Sequence, residues 1–296
     1  MQFCYLRVSG LIDMKKILVF LFFLPFINVG ASEQKLYQMP RTQVIPIKDT
    51  LSNKQYELLI KLPENYAENK DKKYPVIYFT DAVWHIELLS SASFFMMEDV
   101  ILVGISWQKD IAEDLKQQYG AHFSRFGDYS FMKTTNPKHP KIKFGQAENH
   151  LAFIRKDVFK FVEKNYRTEP NNRTYFGFSA GGLFGTYALM VHPGTFKNYI
   201  LGSPSIRRNV SELFAQEHAA LKSKQSAINV FISYGELEKE LSPYVEDFIS
   251  QLKNKKYKGL ASIKHIVIKS SGHSDSSPLM AMHSVKWLKS LQPKRG

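Results

Sequence analysis

The sequence predicts an α/β protein, a mostly parallel, doubly wound sheet with helices on both faces. Three observations lead there. Runs of β-type residues alternate with stretches of helical periodicity along most of the chain. One junction, Tyr175-Phe176-Gly177-Phe178-Ser179-Ala180-Gly181-Gly182-Leu183-Phe184-Gly185, reads as a short apolar strand, a tight turn and a helix. Once an N-terminal leader is set aside, the remaining 265 residues have the size of one large α/β domain.

The leader comes first in the chain. Met14-Lys15-Lys16 followed by Ile17 to Leu24 is a basic region and an apolar region, and Val29-Gly30-Ala31 offers small residues before a cut at Ser32. Residues 1–31 therefore read as a signal peptide, and Met14 makes a better start than Met1. The apolar run is too short to span a bilayer, so no stable membrane anchor is expected after cleavage. The mature chain is expected in the periplasm or secreted. The only cysteine, Cys4, lies in the discarded segment, which leaves neither disulfides nor thiolate chemistry to the mature chain. A hydrophobic content of 44% supplies a core without them.

Residues 32–296 read as a single domain. Tyr56 to Leu62 is an early strand ended by Pro63. Pro75 to Thr80 is apolar on both faces, as a central strand requires, and Val100 to Ile105 is another strand. Residues 84–98 between them suit a helix. Glu148 to Tyr166 is amphipathic, with Leu151, Ile154, Val158, Phe161 and Val162 at helical spacing. After the strand–turn–helix junction come Asn198 to Leu201, Ile228 to Tyr234 and Ser262 to Ile268 as strands. Ser242 to Lys253 is expected as a helix capped by Ser242, with Pro243 at its first position. Pro278 to Leu291 is expected as the last helix. Such a sheet gathers ligands at the carboxyl ends of its strands.

One stretch, about 107–146, breaks the rhythm. It holds Tyr119, Phe123, Phe126, Tyr129, Phe131 and Phe144 mixed with Arg125, Lys133, Lys138, Lys141 and Lys143. A long insertion of this kind is expected to form a loop-rich lid and an ordered substrate wall. Without residues 1–31 the chain keeps 37 basic and 26 acidic side chains, a net charge of +11. That balance suits an anionic partner. Export and the lack of zinc-ligand spacing or an RNA-binding signature argue against nucleic acid.

The chemistry starts at Gly177-x-Ser179-x-Gly181, the pattern of a nucleophile elbow. A serine on so sharp a turn has strained dihedrals, and side chains two residues to either side would collide with the flanking strand and helix. The turn also aims the first N–H groups of the helix above Ser179, where a negative charge can develop. A serine hydroxyl needs a base. Chain order places that base after the last strand, where His265 falls within the strand, His283 inside the last helix, and His273 in the turn Ser270 to Ser277. His273 is the candidate. The orienting acid should follow the strand ending at Tyr234, which nominates Glu238, with Glu236 as the alternative and Asp275 a more distant third. Oxyanion donors are expected from Ala180 and from Ala82 or Val83, in the turn after Thr80. No HExxH motif or other ligand spacing is present, and neither metal nor cofactor is expected.

These residues also resemble a known family. Tyr74-Pro75-Val76-Ile77-Tyr78-Phe79-Thr80-Asp81, Arg125 with Asp128-Tyr129, and Asn165-Tyr166-Arg167-Thr168 with Arg173 are similar to motifs of the putative-esterase branch of the α/β-hydrolases. So are Gly177-x-Ser179-x-Gly181-Gly182-Leu183-Phe184, Gly202-Ser203-Pro204-Ser205, Gly235-Glu236-Leu237-Glu238 and Gly272-His273-Ser274 leading to Pro278. That branch includes trilactone siderophore esterases. The resemblance implies an α/β-hydrolase fold and a serine esterase with Ser179 and His273 as the active pair. Two departures stand out: Ala82 replaces a glycine after Asp81, and Arg207 and Arg208 replace two aromatic residues, which makes that wall cationic. Trp84, Arg125, Tyr129 and Arg207 are the expected substrate contacts. The expectation is an exported serine esterase acting on a small, anionic or aryl, siderophore-type ester through an acyl-enzyme. Acyl transfer on the same fold and an inactive ligand-binding homologue are its rivals.

Overall fold

A computed structural model describes residues 36–135, 140, 143–207, 209–223 and 227–292. The expected signal peptide lies outside the described residues, as do Lys138, Lys141 and Arg208. Eight strands form one sheet: β1 (Thr42–Lys48), β2 (Gln55–Lys61), β3 (Tyr74–Phe79), β4 (Ile101–Ile105), β5 (Thr168–Phe178), β6 (Asn198–Gly202), β7 (Ile228–Gly235) and β8 (Leu260–Ile268). Their spatial order is β1-β2-β4-β3-β5-β6-β7-β8. From β4 to β8 every pairing is parallel, while β2 runs antiparallel to both β1 and β4.

The helices are α1 (Ala82–Met96), α2 (Glu113–Tyr119), α3 (Arg125–Asp128), α4 (Ala147–Phe153), α5 (Phe159–Asn165), α6 (Ala180–Val191), α7 (Val210–Ala215), α8 (Ser242–Asn254) and α9 (His273–Ser290). A π-helical stretch, Ile154–Val158, joins α4 to α5, so the amphipathic segment expected over 148–166 is one continuous helical run with a wide turn at its centre. Helix α8 starts at Ser242 itself, with Leu241 in the cap position.

Strand periodicity divides the core into two layers. On β3, Tyr74, Val76 and Tyr78 pack with α4 to α8, and Ile77 and Phe79 pack with α1 and α9. Strand β6 repeats the division, Tyr199 and Leu201 to one side and Ile200 to the other. Two apolar faces demand cover on both, which is why the parallel strands sit inside a sandwich of helices. A fully buried aromatic such as Phe176 stabilises the fold by roughly 2–3 kcal/mol.

The expected lid departs from its reading. Most of its aromatic side chains face inward. Phe123 and Ile111 are buried together against Leu115, Tyr119, Phe126 and Phe144, and Phe131 stacks on Tyr187. Four of the six rings, Tyr119, Phe123, Phe126 and Phe144, share that small cluster, and Tyr129 and Phe131 pack with the main core, because apolar rings on a loop-rich stretch are costly to leave in water.

Candidate active site

Because β3 and β5 to β8 are parallel, their carboxyl ends open on the same side of the sheet. Each contributes one part of a cluster there.

From β5 comes Ser179, between the strand and α6, at φ 57 and ψ −116. For a residue other than glycine this backbone costs about 1–3 kcal/mol, and it persists because its neighbours fix it. The Ser179 N–H donates to Gly202 O at 2.9 Å, and the Ser179 carbonyl accepts from Leu183 N at 2.9 Å and Ser205 N at 3.1 Å. The buried Tyr175 hydroxyl donates to Gly181 O at 2.7 Å. A methyl group at Gly177 would strike the Gly181 carbonyl, and one at Gly181 would strike the Thr80 hydroxyl. The two glycines are therefore required by contact.

From the end of β8 comes His273, the first residue of α9. Its Nε2 lies 2.9 Å from Ser179 Oγ, and its Nδ1 lies 2.6 Å from Glu238 Oε1. From the end of β7 comes Glu238, whose side chain is 6% exposed. Glu238 Oε2 accepts from Ser203 Oγ at 2.6 Å and from Gly235 N at 2.7 Å. Burial acts to raise its carboxyl, yet these bonds, with that to His273, outweigh it and hold the group below the usual carboxylate range. Glu236 is occupied elsewhere: its carboxylate accepts from Lys269 Nζ at 2.8 Å and Ser270 N at 2.9 Å. Asp275 accepts the Gly272 N–H at 3.2 Å and so caps the helix that carries His273. His265 stacks on Tyr234 along β8, and His283 is exposed on α9.

From β3 comes the turn into α1. Since β3 and β5 are neighbours, the first residues of α1 and α6 lie side by side. Ala180 opens α6 and Ala82 opens α1, and the first N–H groups of a helix have no acceptor within it. Ala82 is buried and Val83 exposed. Asp81 takes a left-handed backbone (φ 55, ψ 48) where the sequence offers no glycine. Its carboxylate accepts from Arg125 Nε at 2.9 Å, Arg125 Nη2 at 3.0 Å and Trp107 Nε1 at 2.6 Å.

That pairing corrects two expected substrate contacts. Arg125 is 9% exposed and Tyr129 1% exposed, both behind the α1 turn rather than on a cleft wall. The reason is electrostatic: Asp81 is fully buried and needs a bidentate cation, which only a buried guanidinium supplies. Trp84 is 47% exposed, edge-on to Trp107, with the Arg125 guanidinium 5.1 Å from its ring centroid. Arg207 lines a cavity of about 770 Å³ together with Ser205, Leu237, Lys239 and His273, and pairs with Glu240 at 2.8 Å. Reading the sequence missed Asp81 and Ser203 as members of this cluster. Their signal was position, Asp81 lying two residues beyond the end of β3 and Ser203 directly after β6. Among the described residues no group of three or more His, Cys, Asp or Glu side chains could hold a metal ion, and no helix is long and apolar enough to cross a membrane.

Comparison with known proteins adds a family. Residues 50–287 match the family described as "Putative esterase". The chain is 26% identical over 285 residues to the ferri-bacillibactin esterase BesA of Bacillus subtilis (strain 168), covering 88% of this chain and 93% of that protein. A crystal structure of the BES protein from Bacillus cereus superposes with a TM-score of 0.73 at 22% identity, over 86% of this chain and 97% of that one. An IroE-like serine hydrolase from Shewanella oneidensis superposes with a TM-score of 0.70 at 21% identity, over 84% and 80% of the two chains. The likeness to these solved structures shows an α/β-hydrolase-type fold.

Proposed function

The chain belongs to the Putative esterase family, and on that footing we propose that it is an exported serine esterase that cleaves a carboxylic ester through an acyl-enzyme. The observation that carries this reading is the line from Ser179 Oγ to His273 Nε2, 2.9 Å, and from His273 Nδ1 to Glu238 Oε1, 2.6 Å.

On this reading Ser179 Oγ attacks the ester carbonyl as its proton passes to His273 Nε2. Glu238 fixes the imidazole with Nδ1 protonated and Nε2 free, and stabilises the imidazolium that forms. The negative oxygen of the tetrahedral intermediate takes N–H donors from Ala180 and from Ala82 or Val83. The intermediate collapses as the proton on Nε2 moves to the departing alkoxide, which leaves as an alcohol. Water then repeats the sequence on the acyl-enzyme, its proton going to Nε2 and returning to Ser179 Oγ as the acid is released.

The name of the Bacillus subtilis relative supports a siderophore-type ester as substrate. Arg207 and Lys239 on the cavity beside His273 support an anionic acyl or alcohol part, and the half-exposed Trp84 ring supports contact with a flat ring. Export would leave Ser32 as the N-terminus, which intact mass of the periplasmic or secreted protein reads directly. The test of function is a panel of esters, from p-nitrophenyl acetate to a ferric catecholate trilactone, with His273→Ala alongside. Hydrolysis of the trilactone that His273→Ala lacks is the expected result. Turnover of short acyl esters alone would remove the siderophore substrate, and transfer to an added alcohol in preference to water would make the protein an acyltransferase.

A further inference from the structure

Behind His273 lie two serine hydroxyls, Ser203 and Ser276, both at 0% exposure and away from the cleft surface. Ser203 Oγ donates to Glu238 Oε2 at 2.6 Å. Ser276 Oγ lies 3.0 Å from the His273 carbonyl oxygen and 3.3 Å from Ser203 Oγ, so its single proton can serve either. Acid, base and both hydroxyls thus form one cluster bridging the ends of β6 and β7 and the first turn of α9.

The backbone at Ser203 is informative. It sits at φ 39, and its N–H donates to Ser233 O at 2.7 Å, which pins it between β6 and β7. Glycine is the unstrained residue for such a conformation, and a serine held there costs backbone energy. Its hydroxyl meets a carboxylate oxygen at a distance typical of a charge-assisted bond. Without it Glu238 Oε2 keeps only the Gly235 N–H. A carboxylate whose remaining partners are one backbone N–H and the imidazole itself can swing about its terminal torsion, and the imidazole that it orients swings with it.

We propose that Ser203 is a positioning residue of this site: its hydroxyl locks the Glu238 carboxylate in the plane that holds His273 against Ser179, and Ser276 backs it from the helix. The proposal rests on the serine-esterase reading above. Ser203 touches no substrate, so its effect falls on kcat and leaves KM alone. The donated proton also withdraws charge from the carboxylate, so removing it leaves a more basic partner for the imidazolium. The charged groups facing His273 are Glu238 from the β7 turn, Arg207, Lys239 and Glu240 around the cavity, and Asp275 on its own helix. None of the others contacts Ser203 in the bonds that hold it.

The experiment compares wild type, Ser203→Gly, Ser203→Ala and Ser276→Ala on p-nitrophenyl acetate across pH 5–9, with thermal melts. Ser203→Gly removes the hydroxyl while relieving the backbone, which keeps the fold. Expected are a fall in kcat of about tenfold in both Ser203 variants with KM within about twofold, the loss of one hydrogen bond to a charged group. The acidic limb of kcat/KM should move upward by a few tenths of a pH unit. Ser276→Ala should show the same pattern, smaller. In a Glu238→Gln background, Ser203→Gly should cost little more, since both act through one carboxylate. Unchanged kcat and limb in Ser203→Gly, beside an active wild type, overturn the proposal alone. A wild type that hydrolyses no ester and takes no fluorophosphonate overturns the esterase reading and the proposal with it.

Discussion

Glu238 and Glu236 are two residues apart and chemically alike, yet their surroundings assign them different work. Glu238 faces His273, Ser203 and the Gly235 N–H, whereas Glu236 binds Lys269 and Ser270 on the far side of the turn. Glu238→Gln should therefore lower kcat by about 10²–10⁴-fold, the range expected when an orienting carboxylate is neutralised, while Glu236→Gln stays within about twofold. Steady-state kinetics on one chromogenic ester checks both. The sequence left these two open because a turn's handedness decides which carboxylate points inward, and no periodicity records it. Chain order alone was enough to narrow nine histidines to three late ones, and the polar, turn-like composition of Ser270–Ser277 to single out His273. The fate of Arg125 was not legible, since its partner Asp81 lies 44 residues away and the burial of both arises only in the fold. Arg125→Ala strands a buried carboxylate with only the Trp107 N–H. A loss of about 3–5 kcal/mol in denaturant stability is expected, with a smaller loss for Arg125→Lys. An unchanged midpoint would return Arg125 to the role of a surface contact.

At the scale of elements, most strand runs were read within a residue or two of their bounds, because a central strand must be apolar on both faces, but β5 begins at Thr168, seven residues before the short apolar run at Tyr175, because its first half is polar and partly exposed. Strand β1 escaped notice. Its buried positions are few, with only Ile47 below a tenth exposed, so it carries little hydrophobic signal. Helix α9 starts at His273 and not at Pro278, because the polar Ser274-Asp275-Ser276-Ser277 run that looks like a loop is capped by Asp275 and Gly272. Pro278 lies inside α9 as its sixth residue, where it cannot donate the i→i−4 bond to the Ser274 carbonyl, so the segment reads from sequence as a helix start although the helix begins a turn earlier. The difference matters to the site, since it puts the imidazole on the first residue of a rigid helix. The α6 junction depends on contact distance more than on propensity. Gly181→Ala drives a methyl into the Thr80 hydroxyl beside the α1 turn, although alanine is the better helix former. A lower melting temperature together with at least a hundredfold loss of kcat/KM is expected. A stabilised, active variant would mean that the two turns are not tightly apposed.

For the whole molecule, acid stability follows from histidines enclosed without charge. Burial holds the His85 imidazole down at about 4, against an ordinary 6.5, with Asp81 opposing and Arg125 adding to the shift. His150, buried among Tyr56, Tyr129, Phe153 and Phe184, is lowered by burial too. Between pH 6.5 and about 4 the unfolded chain therefore binds protons that the folded chain refuses, and stability falls as pH falls through that window. His85 alone accounts for up to about 3 kcal/mol by pH 4. Urea midpoints at pH 7 and pH 4.5 should differ accordingly, and His85→Gln should narrow the gap. The most direct measurement on the molecule as a machine is its reaction with a fluorophosphonate, followed by intact mass and peptide mapping. One adduct on Ser179 is expected in the wild type, absent in Ser179→Ala and slowed by at least a hundredfold in His273→Ala. Labelling at any other serine, or a His273→Ala protein that reacts as fast as the wild type, would contradict a nucleophile activated by that imidazole.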